Sequence, residues 1–279
     1  MKTKKILLAV SFLFLIGSSS KAQSQTEWFP LGLNIQPFTA NFIEPRIGCS
    51  SLTGEKKLRL DIGTSQDIYS IKKNENETLT FGADFFTFTR LTSENDFHFP
   101  VDAVDYLFGV NAGYKITDNN KEYGFRARIS HISAHLVDGH YDHLINGWKD
   151  GVNPMVYSRE FLELIPFYRV DGLRVYAGLT YLFHTTPKKI GKGLYQLGFD
   201  YFAKDYVCKN ISPYIAYDFK LSNDDVYLGN NSISAGLKFG KFNSKGFSVY
   251  YAYNSGRSVH GEYFYHKESY SSIGFNLDL

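Results

Sequence analysis

His131-Ile132-Ser133 carries the residue types for nucleophilic chemistry. On an extended strand, residues i and i+2 share one side with Cα atoms roughly 6.6 Å apart, so imidazole and hydroxyl can meet. A serine whose proton a histidine can take becomes a nucleophile once a third group orients the ring. The pair continues an apolar row, Tyr123, Phe125, Ala127 and Ile129, which by twos reaches His131, Ser133 and His135. Without a bulge, the histidines and serine therefore share the lipid side of a strand, where it enters a long loop at 136–153. The plain reading makes them rim residues that hydrogen-bond lipopolysaccharide headgroups or loop backbone. The sharper reading is a nucleophile and its base. A metal site is not expected. His131 and His135 are roughly 13 Å apart on a strand, too far to share a zinc ion. His140 and His143, near Asp138 and Asp142, read as solvated loop residues.

The elements that position this pair are strands. Period-two alternation runs along nearly the whole chain. Tyr106, Phe108, Val110, Ala112 and Tyr114 oppose Asp105, Gly109, Asn111, Gly113 and Lys115; Ile211, Pro213, Ile215, Tyr217 and Phe219 oppose Ser212, Tyr214, Ala216, Asp218 and Lys220. Strict alternation sends such sets to opposite faces of a sheet, and a polar lumen inside an apolar exterior is what a membrane barrel requires. The expected fold is all-β: a transmembrane up-and-down antiparallel barrel of about 12 strands. They are expected at 45–52, 57–65, 78–90, 104–117, 122–135, 154–168, 172–184, 191–204, 209–221, 229–241, 245–256 and 268–279. Short turns at 118–121, 170–172 and 242–245 belong to one end, and long loops at 91–103, 136–153 and 257–267 to the other. The segment 66–77 is too long for the short-turn end and signals a register error there. Arg126 and Arg128 face the lumen, as do Lys115 and Asp218. With Arg59, Asp61, Asp105, Asp200, Lys220 and Lys238 they make an interior of both signs. That suits a salt-bridged, plugged interior, with a narrow selective pore as the functional alternative.

Composition and the chain ends agree. Phe and Tyr number 24 and 21, beside 24 Gly and only 8 Pro. No stretch after residue 17 approaches the ~18 apolar residues of a helical span. Residues 1–22 read as a cleaved signal peptide: Lys2, Lys4 and Lys5, an apolar run from Ile6 to Gly17, and Ser20-x-Ala22 before Gln23. The formal charge of +2 depends on lysines lost with that leader, so nothing attracts nucleic acid. Residues 23–44, with Trp28, Pro30 and Pro37, lack alternation and read as a periplasmic lead-in or partial plug before a barrel at 45–279. The last strand alternates Ile273, Phe275, Leu277 and Leu279 with polar residues. This is similar to the signal read by the barrel-assembly machinery. The spacing of Cys49 and Cys208 predicts neither a metal site nor a disulfide. Membrane lipid or lipopolysaccharide is the expected partner, and nothing specifies an oligomeric state.

Two resemblances follow from these residues. His131-x-Ser133 on an outward strand resembles outer-membrane phospholipase A and the lipid A deacylase. Those families imply His131 as base, Ser133 as nucleophile, and a third member: Asn146 by the phospholipase spacing, or Asp142 or Glu160 by the acid of the deacylase. Both families place Asn after the serine, where this chain has Ala134. Calcium enters only under this reading; otherwise no cofactor is implied. The broader resemblance spans Phe29-Pro30-Leu31, Glu44-Pro45-Arg46, Arg128-x-x-His131-x-Ser133-x-His135-Leu136, Tyr157-Ser158-Arg159-Glu160, Tyr176-Ala177-Gly178 and Tyr181-Leu182-Phe183-His184. In that order these blocks resemble the family catalogued as domain of unknown function 1207. Where members carry Gly-Asp-Glu after the His-Leu pair, this chain has Val137-Asp138-Gly139. The resemblance implies an outer-membrane barrel and no activity.

Overall fold

The computed structural model describes residues 24–278 except 189, 205 and 225. The leader therefore lies outside the described residues. The strands are β1 (Gln25–Trp28), β2 (Ile47–Leu52), β3 (Lys57–Lys72), β4 (Glu77–Thr92), β5 (Val101–Asp118), β6 (Lys121–Leu136), β7 (Tyr141–Asp142), β8 (Gly147–Trp148), β9 (Tyr157–Val170), β10 (Leu173–Thr186), β11 (Gly193–Phe202), β12 (Ile211–Asp224), β13 (Val226–Gly240), β14 (Gly246–Arg257) and β15 (Lys267–Asp278). β2–β6 and β9–β15 pair antiparallel with their neighbours, and β15 pairs β2, so twelve strands close on themselves. β7 and β8 form a separate ribbon in the loop after β6. β2 covers only the first part of the edge of β3, from Leu58 to Asp61, and β1 covers its far end at Tyr69–Lys72.

Two boundaries differ from the pattern in the sequence. β3 runs on to Lys72, because the extra residue Ile68 bulges between Asp67 and Tyr69 and breaks the alternation. That leaves 73–76 as the turn and removes the long connection expected at 66–77. β12 and β13 pair as far as Asp224 opposite Val226, where a longer loop was expected. Tight turns elsewhere use Asn119 and Asp171 at φ 55° and 52°, a left-handed conformation that Asn and Asp tolerate. Short turns gather at one end and the longest loops at the other, which makes the second end extracellular.

Outside, Val110, Ile129, Leu164, Leu179, Leu197 and Ile273 are exposed in a continuous apolar girdle. An exposed belt of this kind on a closed sheet is the surface that lipid covers, and the protein is an outer-membrane β-barrel. Among the described residues no helix is long and apolar enough to cross a membrane; the strands cross it.

Inside, the charged residues face inward as their alternation requires. Residues 33–46 enter the lumen as irregular chain, and a backbone without a ladder needs donors. The barrel supplies them: Arg174 donates to the carbonyls of Gln36 and Pro37 at 2.7 and 2.6 Å, Arg59 to that of Phe42, and Arg128 to that of Ile43. Phe38 is fully buried against the Tyr176 ring, with the guanidinium carbons of Arg174 and Arg126 4.5 and 4.9 Å from its ring centre. Glu44 takes Arg126 through both oxygens at 2.6 and 2.5 Å, and Arg128 meets Glu163 at 2.7 Å. Asp218 accepts from Lys220, Tyr176 and Gln196. Lys115 lines a small cavity beside the segment with Asn34, Glu122 and Arg169.

The extracellular half of the interior also holds an apolar cluster. Phe86, Phe88, Leu107, Ile132 and Phe161 pack there as in a soluble core. The loop at 258–266 folds over them. Asp105 anchors it by accepting from the Gly261 amide and pairing with His260, and Glu262 accepts from the amides of Leu136 and Met155. His140 departs from expectation too. It is buried, with its Nδ1 3.2 Å from the Tyr263 hydroxyl and near Asp102, while His143 is exposed. Cys49 and Cys208 are free thiols.

Candidate functional site

The outward face of β6, β9 and β10 gathers the residues with chemical potential. Register places His131 opposite Glu160, and Glu160 opposite His184. One row nearer the extracellular rim, Ser133 stands opposite Ser158, and Ser158 opposite Thr186. A row of imidazole, carboxylate and imidazole thus lies beside a row of hydroxyls. The His131 Nδ1 lies 2.6 Å from Glu160 Oε1, and the His184 Nδ1 bonds the other carboxylate oxygen. With the glutamate ionised, each ring donates from Nδ1, which leaves its Nε2 lone pair free. Phe108 packs on the His131 ring at 4.9 Å between centroids, and Tyr106 meets His135 edge-on. Both flanking aromatics come from β5 and fix the rings on the lipid side.

His184 is outward for a reason alternation does not reveal. β10 alternates regularly up to Leu182, which is buried in the lumen. By twos, His184 would also point inward. The register shifts between Leu182 and His184, so Phe183 is an extra residue and both it and His184 face out. Bulges re-aim side chains in this way, and they concentrate near functional sites. Sequence reasoning reached His184 only within a family block, because the bulge shows only in the cross-strand pairing.

The structure brings His131 and Ser133 to one face and adds Glu160, but not Asn146. Asn146 lies in the β7–β8 ribbon and accepts from the Tyr141 hydroxyl at 2.7 Å. Asp142, in the same ribbon, accepts from the Leu144 amide. Among the described residues the Ser133 hydroxyl makes no side-chain hydrogen bond. Ala134 points into the lumen and is buried, so its side chain reaches nothing on this face. The residues together could hold an imidazole in one tautomer next to a hydroxyl at the edge of the lipid. Among the described residues no cluster of His, Cys, Asp and Glu has a metal-holding arrangement. Arg126, Arg128 and Asp218 belong instead to the ion pairs that hold the inner segment.

The sequence matches a family model described as protein of unknown function (DUF1207) over residues 71–278. The chain belongs to the DUF1207 family. That match covers the strands that build the outward row, and it carries no activity with it. No curated protein matches the sequence. Among solved structures, this DUF1207 chain is similar to the outer membrane protein OprD from Pseudomonas aeruginosa. The two share 10% identity over 80% of this chain and 74% of that one, at a TM-score of 0.36. It is similar to OccAB2 of Acinetobacter baumannii, at 10% identity over 93% and 74% and a TM-score of 0.34. OmpT of Vibrio cholerae matches at 9% identity over 94% and 99%, also with a TM-score of 0.34. At such scores the barrel rests on its own strand pairing.

Proposed function

We propose that this DUF1207 barrel is a sealed, structural outer-membrane protein rather than a conducting pore. The observation that carries this reading is the Glu44–Arg126 pair, both oxygens to both guanidinium nitrogens, tying the inner segment to the wall. The aromatic packing around Phe86 and Phe88 supports it from the extracellular side. Lumen cations whose hydrogen bonds are spent on carbonyls and carboxylates are poorly available to a passing ion. Planar bilayers test the reading: the wild-type chain should add no steady conductance, and stable ohmic steps that respond to Arg126→Ala would refute it.

A second reading is favoured by one observation, the 2.6 Å contact between Glu160 and His131 Nδ1. It makes the outward row an acyl-ester hydrolase on outer-leaflet lipid. Ser133 would attack the ester carbonyl while His131 takes its proton at Nε2. The alkoxide would leave with that proton, and water would then release the acid from the acyl-serine. Glu160 takes the orienting role, in place of Asn146. Fatty acid release from phospholipid or lipopolysaccharide vesicles, with and without calcium, is the assay. Release by wild type and none by Ser133→Ala would establish this reading; equal release by both would remove it.

A further inference from the structure

We infer that the extracellular half of the lumen holds a binding site for a small carboxylate bearing a short hydrocarbon tail, with Arg159 as the anion anchor. Arg159 follows Ser158 on β9, so alternation turns it inward while its neighbours face lipid. Every other arginine of the chain donates to a carboxylate or a carbonyl. Arg159 has no hydrogen bond or ion pair among the described residues, and its Nε is buried. The residue is half-buried, and a guanidinium cannot shed its proton, so an anion beside it would meet donors that the protein leaves unpaired. Buried polar groups are otherwise almost always paired, so an unpaired one needs an explanation.

The space beside it supplies one. A cavity of about 80 Å³ lies between the inner segment, which contributes Phe42 and Ile43, and the loop at 258–266, which contributes Phe264. Leu182 and Ile190 complete an apolar wall. Lys220 and Arg257 also line the cavity, but the first is met by Asp218 and Asn41, and the second donates to the Phe264 carbonyl. Among the described residues no carboxylate lines it. The free cation calls for an anion, and the opposite wall calls for hydrocarbon. Size narrows the class further. A cavity of about 150 Å³ holds benzene, so one of roughly half that size suits two to four carbons and excludes a sugar. A carboxylate matches the planar guanidinium through two parallel bonds.

The test is isothermal titration of the full chain in a neutral detergent with sodium butyrate, butyramide and inorganic phosphate. Butyrate should bind saturably at one site, and butyramide and phosphate at least tenfold more weakly. Arg159→Gln should weaken butyrate at least tenfold while the unliganded protein unfolds at about the same temperature, since in the free protein this half-buried guanidinium holds no side-chain partner. Leu182→Phe keeps the charge but fills the cavity, and should also weaken butyrate at least tenfold. No butyrate heat in the wild type, phosphate binding as tightly as butyrate, or unchanged affinity in both variants would overturn the inference.

Discussion

Glu44→Ala is the most informative perturbation of this barrel. Glu44 is fully buried, grips Arg126 through both oxygens, and accepts from the Asn41 amide at 2.7 Å. Removing the carboxylate strands the Arg126 charge, and breaking a buried pair from one side costs about 3–5 kcal/mol. Glu163 stands 3.4 Å from Arg126, but it is already engaged by Arg128 at 2.7 Å. It compensates in part, which puts the loss near about 3 kcal/mol. The assay is urea unfolding in detergent, followed by the heat-modifiable gel shift. Glu44→Leu with Arg126→Met removes both charges, and should return to within about 1 kcal/mol of wild type, since apolar replacements of buried pairs are often neutral. A single variant as stable as wild type, or a double variant worse than the single, would refute this account of the inner segment. pH gives an independent reading. Burial pushes the Glu44 carboxyl up, but the charge and hydrogen bonds of Arg126, with the charges of Arg128 and Lys220, outweigh it and hold it below its ordinary value of 4.5. A depressed carboxyl contributes stability that is full above that value and is lost as pH falls through the lowered one. The advantage of wild type over Glu44→Ala should therefore disappear in acid.

Other outcomes follow from single contacts. Gly198→Val should destabilise by about 1–3 kcal/mol in the same unfolding assay, because a Cβ there would sit 2.3 Å from the Tyr176 ring, whose hydroxyl is held by Asp218. Burial, reinforced by the charge of Asp105, pushes the Glu262 carboxyl above its ordinary 4.5 despite the Met155 and Leu136 amides that favour its ionised form. The folded chain then keeps a proton that the unfolded chain has lost, so stability falls as pH rises just above 4.5, and Glu262→Gln should flatten that slope in urea titrations. If the outward row is hydrolytic, Glu160→Gln should lower fatty acid release about 10²- to 10⁴-fold, by loss of the ring's orientation. His184→Ala, one partner further out, should lower it less and leave folding intact.

Much of this architecture was legible in the residues, because a strand's period of two records which face each side chain takes. The twelve strands, the inward turn of Arg126, Arg128 and Asp218, and the outward turn of His131 and Ser133 are all statements about alternation. Residues that break the period were not legible. Ile68 and Phe183 are ordinary strand residues, and nothing in their types says that each is an extra one; only cross-strand pairing does. The same bulge decides that His184 meets Glu160 outside the barrel instead of packing beside Leu182 within it. Spacing along the chain put Asn146 first as the partner of His131, with Glu160 behind it, but Asn146 bonds Tyr141 instead. Closure of the sheet sets β9 next to β6 and so brings Glu160 beside His131. The inner segment follows the same logic. Its prolines and lack of alternation say only that residues 23–44 are a lead-in or partial plug and not barrel wall. The place of residues 33–46 in the lumen depends on donors from β3, β6 and β10 that converge on their carbonyls, and that convergence exists only once the barrel has closed.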